Sequence, residues 1–322
     1  MNTMAYSMRT TLLIIGVIGL LLNAPVTAAA DEFSIGIIGA SLKTPNDDSA
    51  LRQAISDTDD ENLAFVVVNG IKSAQEACSD SLFLDRKKLF DTAKNGLIVS
   101  LAGTDWTECK NAAGKSSSVE RLSRLRELFF ADDFSFGASK IPLTRQSAAA
   151  KFRSYAENAH WELGPVLFAT INLPGDNNHY LSAGGRNSEF EDRSVANVHW
   201  LQRIVGYASS HKLDAVVLFS DHDPLALARS NKQRDGFAEI RDDIVRLAAR
   251  FSGRILLVHS RVMPRTGTPA GISWQGNLGT LAVPSGWLRL KISPNSPALF
   301  SVISNESGET VRTPNKKTAA LK

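Results

Sequence analysis

Five apolar runs, each ending in Gly or Ser at a short turn, constrain the fold of this chain more than any other feature of its sequence. Between several of them, apolar residues recur at helical spacing, so strand-like and helix-like segments alternate along the chain. This alternation predicts an α/β protein, in which functional side chains follow the carboxyl ends of the strands. The runs are residues 33–39, 64–70, 97–103, 215–220 and 255–260.

Other local patterns refine this prediction. Residues 65–68 are a continuous Phe and Val run, which is typical of a strand covered on both faces. The spacing of Ser117 and Glu120 predicts a capping box at the start of a helix. After residue 279 the pattern changes to short β segments at 281–283, 287–292 and 299–303, which predicts a terminal β meander.

The composition is that of a globular protein with a substantial core, since 43% of the 322 residues are hydrophobic and 21% are charged. The formal net charge is +3, and no basic stripe interleaves with aromatic residues, so no nucleic-acid partner is expected. No linker or repeat divides the chain. We therefore predict one domain over residues 31–305, followed by a flexible tail over residues 306–322.

The N-terminal residues have the order of a secretory signal peptide. Arg9 precedes an apolar stretch at residues 12–22, and the run of alanines that ends at Ala30 predicts cleavage near that residue. Residues 1–30 are thus predicted to be a signal peptide, and the protein to be secreted or periplasmic. The alternative is a retained anchor, but about eleven apolar residues are fewer than the roughly 20 that a spanning helix needs, so no permanent membrane anchor is expected.

Cys78 and Cys109 are the only cysteines in the sequence. In an oxidising compartment such a pair favours a disulfide, which closes a loop of about thirty residues and stabilises the fold by roughly 3–4 kcal/mol. The alternative is two free buried thiols. A zinc site is disfavoured, because no further His or Cys lies nearby in the sequence to complete four ligands.

Several segments are similar to one known family. Residues 102–109 read Ala-Gly-Thr-Asp-Trp-Thr-Glu-Cys, and residues 155–161 read Tyr-Ala-Glu-Asn-Ala-His-Trp. Residues 120–130 contain Glu-Arg-Leu, Leu-Arg and Phe-Phe in a helical segment. These segments, with Cys78 and the Asn pair at 177–178, resemble the secreted branch of the calcineurin-like metallophosphoesterase superfamily.

The resemblance implies a four-layer α/β/β/α sandwich with mixed sheets and a C-terminal β meander. It also implies phosphoesterase chemistry with two divalent metal ions (Mn, Fe, Zn or Mg), held by Asp, Asn and His side chains at the strand ends. Such ions polarise a phosphate ester and lower the pKa of a bound water towards about 7.

Most ligand positions implied by the resemblance carry other residues in this chain. Two Gly-Asp pairs of the family fall on Gly39-Ala40 and Gly70-Ile71, and a Gly-Asp-Asn-Glu turn becomes Gly103-Thr104-Asp105, one residue shorter. Asp221 matches the fourth strand end, or His222 if the register shifts by one residue. The degenerate ligand positions are Ala40, Ile71, Thr104, Asp105, Asp221, Arg261 and Met263.

The remaining side chains of the types that bind metal ions also have structural explanations. His259 follows an apolar run, where a hydrogen-bonded structural imidazole is expected, and residues 176–179 follow Pro-Gly, where Asp and Asn form local Asx turns. Asp221 and His222 are adjacent, so they point in different directions at a strand end. The candidate residual metal site consists of Asp105, Asp221, His222 and His259.

These substitutions favour an inactive relative of the phosphoesterases that has a binding or interaction role. No catalytic residue is assigned and no cofactor is expected; the alternative is a phosphoesterase that hydrolyses phosphate mono- or diesters with a reduced or rebuilt metal site. Arg261 in a metal-free pocket could hold an anion by charge-assisted hydrogen bonds. The expected partners are therefore a small anion, a phosphorylated ligand or another protein.

Overall fold

A computed structural model of the chain describes residues 31–39, 48–182, 187–226, 234–260 and 271–303. The predicted signal peptide (1–30), the predicted tail (306–322) and three degenerate ligand positions, Ala40, Arg261 and Met263, lie outside the described residues. Within the described ranges, no helix is both long and apolar enough to cross a membrane.

The described strands form two sheets. The first contains β1 (Phe33–Ile38), β2 (Val66–Asn69), β3 (Leu97–Ser100), β11 (Trp287–Ile292) and β12 (Phe300–Ile303). Its order is β12-β11-β1-β2-β3, with β1, β2 and β3 parallel and with β11 antiparallel to both of its neighbours.

The second sheet contains β4 (Thr144–Arg145), β5 (Ala159–Leu163), β6 (Val166–Thr170), β7 (Ala215–Ser220), β8 (Arg254–Ser260), β9 (Ile272–Gln275) and β10 (Leu278–Val283). Its order is β4-β5-β6-β7-β8-β10-β9. The strands β6, β7, β8 and β10 are parallel, and the outer strands are antiparallel to their neighbours. The prediction of an α/β fold with mixed sheets is therefore confirmed.

The longer helices of the described part are α1 (Ser49–Asp59), α2 (Asp80–Asp91), α3 (Ser118–Phe129), α4 (Ser188–Ser210) and α5 (Ala238–Ala248). Ser117 precedes α3 as predicted, but its side chain makes no capping hydrogen bond, so the predicted capping box is wrong. The physical reason is its backbone, because φ −123° and ψ 22° lie outside the extended conformation typical of a capping residue.

Alternating residues of the central strands enter different apolar clusters. Val67 of β2 belongs to a cluster that both sheets share, together with Phe168 of β6, whereas Val66 and Val68 belong to a cluster with α1, α2 and α3. A third cluster joins the second sheet to α4 and α5. Because both faces of these strands are covered, their sequences are continuous apolar runs.

The C-terminal strands form close to the predicted positions, but they do not make one meander. β10 lies in the second sheet between β8 and β9, whereas β11 and β12 lie in the first sheet beside β1. The meander prediction is therefore wrong. Short alternating segments indicate where strands are, but the sheet that each strand joins depends on pairing with distant residues, such as that of Phe33 in β1 with Ile292 in β11.

The disulfide between Cys78 and Cys109 is confirmed, with the two Cα atoms 5.7 Å apart. It joins the segment that follows β2 to the segment that follows β3. Since β2 and β3 are parallel neighbours, the bond links two loops at the same edge of the first sheet.

Candidate functional site

A cavity of about 370 Å³, here called the strand-end cavity, lies where the carboxyl ends of strands from both sheets meet. Its lining includes Asn69 at the end of β2, Ser260 at the end of β8, and residues from the segments after β3, β6 and β7. Parallel neighbours end at one edge of a sheet, and α/β proteins bind their ligands at that edge. The strand-end cavity is therefore the candidate functional site.

The carboxylate of Asp105 accepts hydrogen bonds from three backbone N–H groups, and the residue is completely buried. Its Oδ1 accepts from Ile71 at 2.7 Å and Lys72 at 3.0 Å, and its Oδ2 accepts from Ala102 at 2.8 Å. Burial raises the pKa of Asp105 to about 6, although these donors and the Lys72 ammonium favour the ionised form. In this position the side chain ties the loop after β2 to the loop after β3.

Asp221 lines the strand-end cavity and connects the two sheets. Its Oδ2 accepts from the backbone N–H of Gly103, after β3, at 2.8 Å and from that of Gly175, after β6, at 3.0 Å. Burial raises the pKa of the Asp221 carboxyl, while the two N–H donors act in the opposite direction. A Cβ atom at Gly103 would lie 3.2 Å from Cβ of Pro174 and 3.3 Å from this oxygen, so the backbone here is closely packed.

The two candidate histidines lie against protein groups. The ring of His222 stacks on that of Phe237 with centroids 4.9 Å apart. Nδ1 of His259 is 3.0 Å from the carbonyl oxygen of Ser260, and its Nε2 is 3.8 Å from Oδ2 of Asp223. Across the part of the chain that the structure describes, no three His, Cys, Asp or Glu side chains are placed to hold a metal ion. The structure thus does not bring Asp105, Asp221, His222 and His259 together as a metal site.

Two further ligand positions carry side chains with other roles. Ile71 is fully buried in the apolar cluster beneath α1, α2 and α3, so a hydrocarbon group occupies the place where the resemblance implies a carboxylate. Thr104 lines the strand-end cavity and donates from Oγ1 to the carbonyl oxygen of Lys72 at 3.2 Å. The described residues therefore do not fit the pair of metal ions that the resemblance implies.

Lys72 is a cavity residue that sequence reasoning missed. It lines the strand-end cavity, is only 4% exposed, and donates from Nζ to the carbonyl oxygen of Ser73 at 2.7 Å. Burial lowers the pKa of the Lys72 ammonium, and the carboxylates of Asp105, Glu76 and Glu108 act in the opposite direction. The one sequence signal was a lysine in the turn after an apolar strand, three residues beyond its end at Asn69, and such a residue is usually solvated.

Asn69 connects the end of β2 to the second sheet. Its Nδ2 donates to the carbonyl oxygen of Ser220 at 3.1 Å and to Oγ of Ser260 at 2.7 Å. Its Oδ1 is buried and has no hydrogen-bond partner among the described residues, and the same holds for Oγ of Ser73. Both residues line the strand-end cavity, so two buried polar atoms of its lining are unpaired within the described protein.

Asp176 enters the cavity lining from an uncommon backbone segment. The residues from Asp176 to His179 all have positive φ, between 50° and 57°, a conformation that Asp and Asn tolerate better than most residues. Side chains of Asn177 and Asn178 hold this turn against the backbone of Gly236, with bonds of 2.8 Å to its N–H and 2.9 Å to its carbonyl oxygen. The turn places the exposed Asp176 at the edge of the cavity.

Comparisons with known proteins give limited information on family. No protein-family model matches this sequence, and no curated protein does. Among solved structures, this chain is similar to a protein from Staphylococcus aureus that is provisionally described as a 5′-nucleotidase, in complex with α-ketoglutarate. The sequences are 9% identical with a TM-score of 0.42, and the match covers 91% of this chain and 56% of that chain. A similarity of this degree defines neither a family nor an activity for this protein.

Proposed function

We propose that this chain is an exported, catalytically inactive protein of metallophosphoesterase-like architecture that binds a small polar ligand in the strand-end cavity. The observation that carries this proposal is the bonding of Asp105, whose two carboxylate oxygens accept three backbone N–H bonds in place of facing a metal ion. Asp221 supports it, because its Oδ2 accepts two further backbone bonds.

The proposed architecture is the four-layer α/β/β/α sandwich. Support comes from the three apolar clusters, of which one contains residues of both sheets and the other two each join one sheet to helices. In this arrangement the loops after β2, β3, β6 and β7 converge on one cavity. Backbone N–H groups that donate to the carboxylates of Asp105 and Asp221 then hold together loops that a metal centre would otherwise connect.

The proposed role is binding because the cavity retains polar groups without having a metal-binding group among its described residues. Its volume of about 370 Å³ is in the range of small-molecule sites. The earlier hypothesis that Arg261 holds an anion concerns a residue outside the described ranges and stays a prediction. Export likewise remains a proposal, to which the disulfide gives support, since such bonds persist in oxidising compartments.

A second candidate is a phosphoesterase with a reduced or rebuilt metal site. The specific observation in its favour is that three carboxylates, those of Glu108, Asp176 and Asp221, line one cavity. Such an enzyme would use a divalent ion (Mn, Fe, Zn or Mg), and it would need ligands from residues beyond the described ranges.

Elemental analysis combined with a turnover assay distinguishes the two candidates. The purified protein would be measured for bound metal and then assayed with bis(p-nitrophenyl) phosphate in the presence of Mn²⁺. We expect neither stoichiometric metal nor turnover above a metal-only blank. Stoichiometric metal together with turnover that Asp221→Asn abolishes, and that the exposed control Asp242→Asn leaves intact, would overturn the proposal.

A further inference from the structure

We infer that a second cavity of this protein, here called the helix cavity, binds a free α-amino acid with an apolar side chain. The helix cavity has a volume of about 200 Å³ and lies between the first half of α4 and the start of α5. It shares no lining residue with the strand-end cavity. The inference therefore goes beyond the proposed function, since it concerns a different site and a different ligand.

The helix cavity is small, and part of its lining is apolar. Phe190 and Val198 of α4 and Ala238 and Ile240 of α5 form this apolar part. The volume is below the roughly 300–1,000 Å³ of sites for drug-sized ligands, so the ligand has to be small. An apolar side chain of the ligand would cover these residues, and the removal of apolar surface from water favours binding.

The deeply buried polar residues of the lining are already paired within the protein. Nδ2 of Asn178 donates to the carbonyl oxygen of Gly236 at 2.9 Å, and its Oδ1 accepts from Arg193 at 2.5 Å. The side-chain amide of Asn197 likewise donates one hydrogen bond and accepts another. The groups that select the ligand are therefore the charged side chains closer to solvent.

Arg234 provides a site for a carboxylate. Its guanidinium lies 5.4 Å from the ring centroid of Tyr180 and 5.6 Å from that of Phe190. The carboxylate next to it in the sequence, that of Asp235, pairs instead with Arg241 at 2.6 Å, and no described carboxylate pairs with Arg234. Aromatic rings hold a guanidinium by its faces, so its N–H edges remain free to bind a carboxylate with two hydrogen bonds.

Glu239 provides a site for an ammonium group. Its exposed carboxylate lines the same cavity from the first turn of α5 and forms no ion pair with Arg234 or with any other described residue. Two opposite charges that line one small cavity without pairing match a ligand that carries both charges. A free α-amino acid has its carboxylate, its ammonium group and its side chain on one carbon atom, so it can contact Arg234, Glu239 and the apolar lining together.

Other classes of ligand fit the helix cavity less well. An inorganic anion would be repelled by Glu239 and would leave the apolar lining uncovered. A neutral apolar molecule would leave both charges without a partner. A metal ion needs several ligands at roughly 2.0–2.6 Å, and the described residues contain no group of side chains placed for this.

Isothermal titration calorimetry with a matched series of probes tests the inference. The purified protein would be titrated with L-leucine and L-phenylalanine, and with three compounds that each lack one group of leucine. These are 4-methylpentanoate without the ammonium group, 3-methylbutylamine without the carboxylate, and glycine without the apolar side chain. We expect L-leucine to bind at least about tenfold more tightly than each of the three, because each lost contact corresponds to at least one order of magnitude in affinity.

Variants locate the binding at the helix cavity. Arg234→Gln and Glu239→Gln change exposed side chains, so both should fold, and each should weaken the binding of L-leucine by about tenfold. Glu239→Gln should not weaken the binding of 4-methylpentanoate, which lacks the group that Glu239 contacts. The matched control Glu127→Gln, on α3 and outside the lining, should leave the affinity for L-leucine unchanged.

Three results would overturn the inference. Equal affinities for L-leucine and 4-methylpentanoate, with no effect of Glu239→Gln, would identify a site for simple carboxylates. Binding of L-leucine that neither Arg234→Gln nor Glu239→Gln weakens would exclude the helix cavity as the site. Absence of binding for L-leucine and L-phenylalanine would reject the amino-acid ligand. In each case the metal and turnover measurements would still decide the proposed function separately.

Discussion

Two buried polar regions of this protein differ in how completely their atoms are paired. The first, here called the polar network, consists of Gln146, Glu157, Asn158, Thr170, Asn172 and Asn197. Nδ2 of Asn158 donates to Gln146 at 2.8 Å and to Asn197 at 2.9 Å, and its Oδ1 accepts from the backbone of Asn172 at 2.8 Å. Glu157 accepts two bonds from Arg126 and a third from Asn172.

The second region is the strand-end cavity, where Oδ1 of Asn69 and Oγ of Ser73 have no partner among the described residues. In the polar network the exception is Oδ1 of Asn172, which does not line that cavity. Buried polar groups are nearly always paired, and a satisfied network makes the fold specific. The comparison teaches that the polar network is almost fully paired and holds this protein together, whereas the residues around the cavity leave two buried polar atoms unpaired within the described protein.

The largest effect is expected from Glu157→Gln in the polar network. This change leaves the guanidinium of Arg126, whose side chain is 17% exposed, without its charged partner, and breaking such a pair costs about 3–5 kcal/mol. Urea unfolding at pH 7 measures the loss. The control Glu127→Gln removes an exposed carboxylate, 66% exposed, and should cost less than about 1 kcal/mol. Equal losses for the two variants would show that the polar network is not a source of stability.

The disulfide near the cavity should have the next largest effect. Replacing Cys78 and Cys109 by Ser opens a loop with a sequence separation of 31, which corresponds to a loss of roughly 3–4 kcal/mol. The free energy of unfolding of the double variant, measured in urea, should equal that of the wild type unfolded in the presence of a reductant. A loss below about 1 kcal/mol would indicate that hydrogen bonds such as those of Asp105 hold the two loops without the disulfide.

The buried carboxyl group of Asp105 should make stability depend on pH. Because burial raises its pKa to about 6, above the value of about 4 in an unfolded chain, the folded state binds this proton more tightly. Its contribution is therefore complete below about pH 4 and is lost as the pH rises through about 6. Relative to Asp105→Asn, which cannot titrate, the wild type should gain about 2 kcal/mol between pH 7 and pH 4.

Urea unfolding at several pH values measures this dependence, and the ¹³C chemical shift of the Asp105 carboxyl carbon reports its titration directly. Parallel stability curves for the wild type and Asp105→Asn would contradict the prediction. They would show that the three backbone donors offset burial, so that the pKa of Asp105 is the same in the folded and unfolded states.

The smallest changes in stability are expected from single hydroxyl groups, and they test the difference between the polar network and the strand-end cavity most directly. Thr170→Val removes a hydroxyl that donates to the carbonyl oxygen of Glu157 at 2.9 Å and accepts from the backbone of Ala159 at 3.0 Å, so it should cost about 1–3 kcal/mol. Ser73→Ala removes an unpaired hydroxyl of similar burial and should change stability by less than about 0.5 kcal/mol. Thermal and urea unfolding measure both. A cost for Ser73→Ala equal to that for Thr170→Val would show that Ser73 is part of the structural framework.

The sequence predicted the elements of this fold better than their assembly. The apolar runs form β1, β2, β3, β7 and β8 because strands covered on both faces need little information beyond a continuous apolar pattern. The C-terminal strands were located, but their division between two sheets was not predicted. At the site, the sequence singled out Asp105 and Asp221 as ligand types, yet it could not show that backbone N–H groups occupy their oxygens.

Lys72 and Asn69 show why the rest of the site escaped prediction. A lysine after a strand is usually solvated, and only the packing of the loops around it buries Lys72 to 4% exposure. In the sequence, Asn69 is an ordinary polar residue at the end of a strand. Its bonding partners, Ser220 and Ser260, lie 151 and 191 residues further along the chain, so no local pattern identifies them.

By itself, the sequence determined the α/β class and favoured a disulfide between Cys78 and Cys109 over two free thiols, because periodicity and a single cysteine pair are properties of the chain. The tertiary structure decided which sheet each strand joins and which polar atoms around the cavity are paired. The physical reason is that hydrogen bonds and burial are relations between groups from distant segments, and folding alone brings those groups to one place.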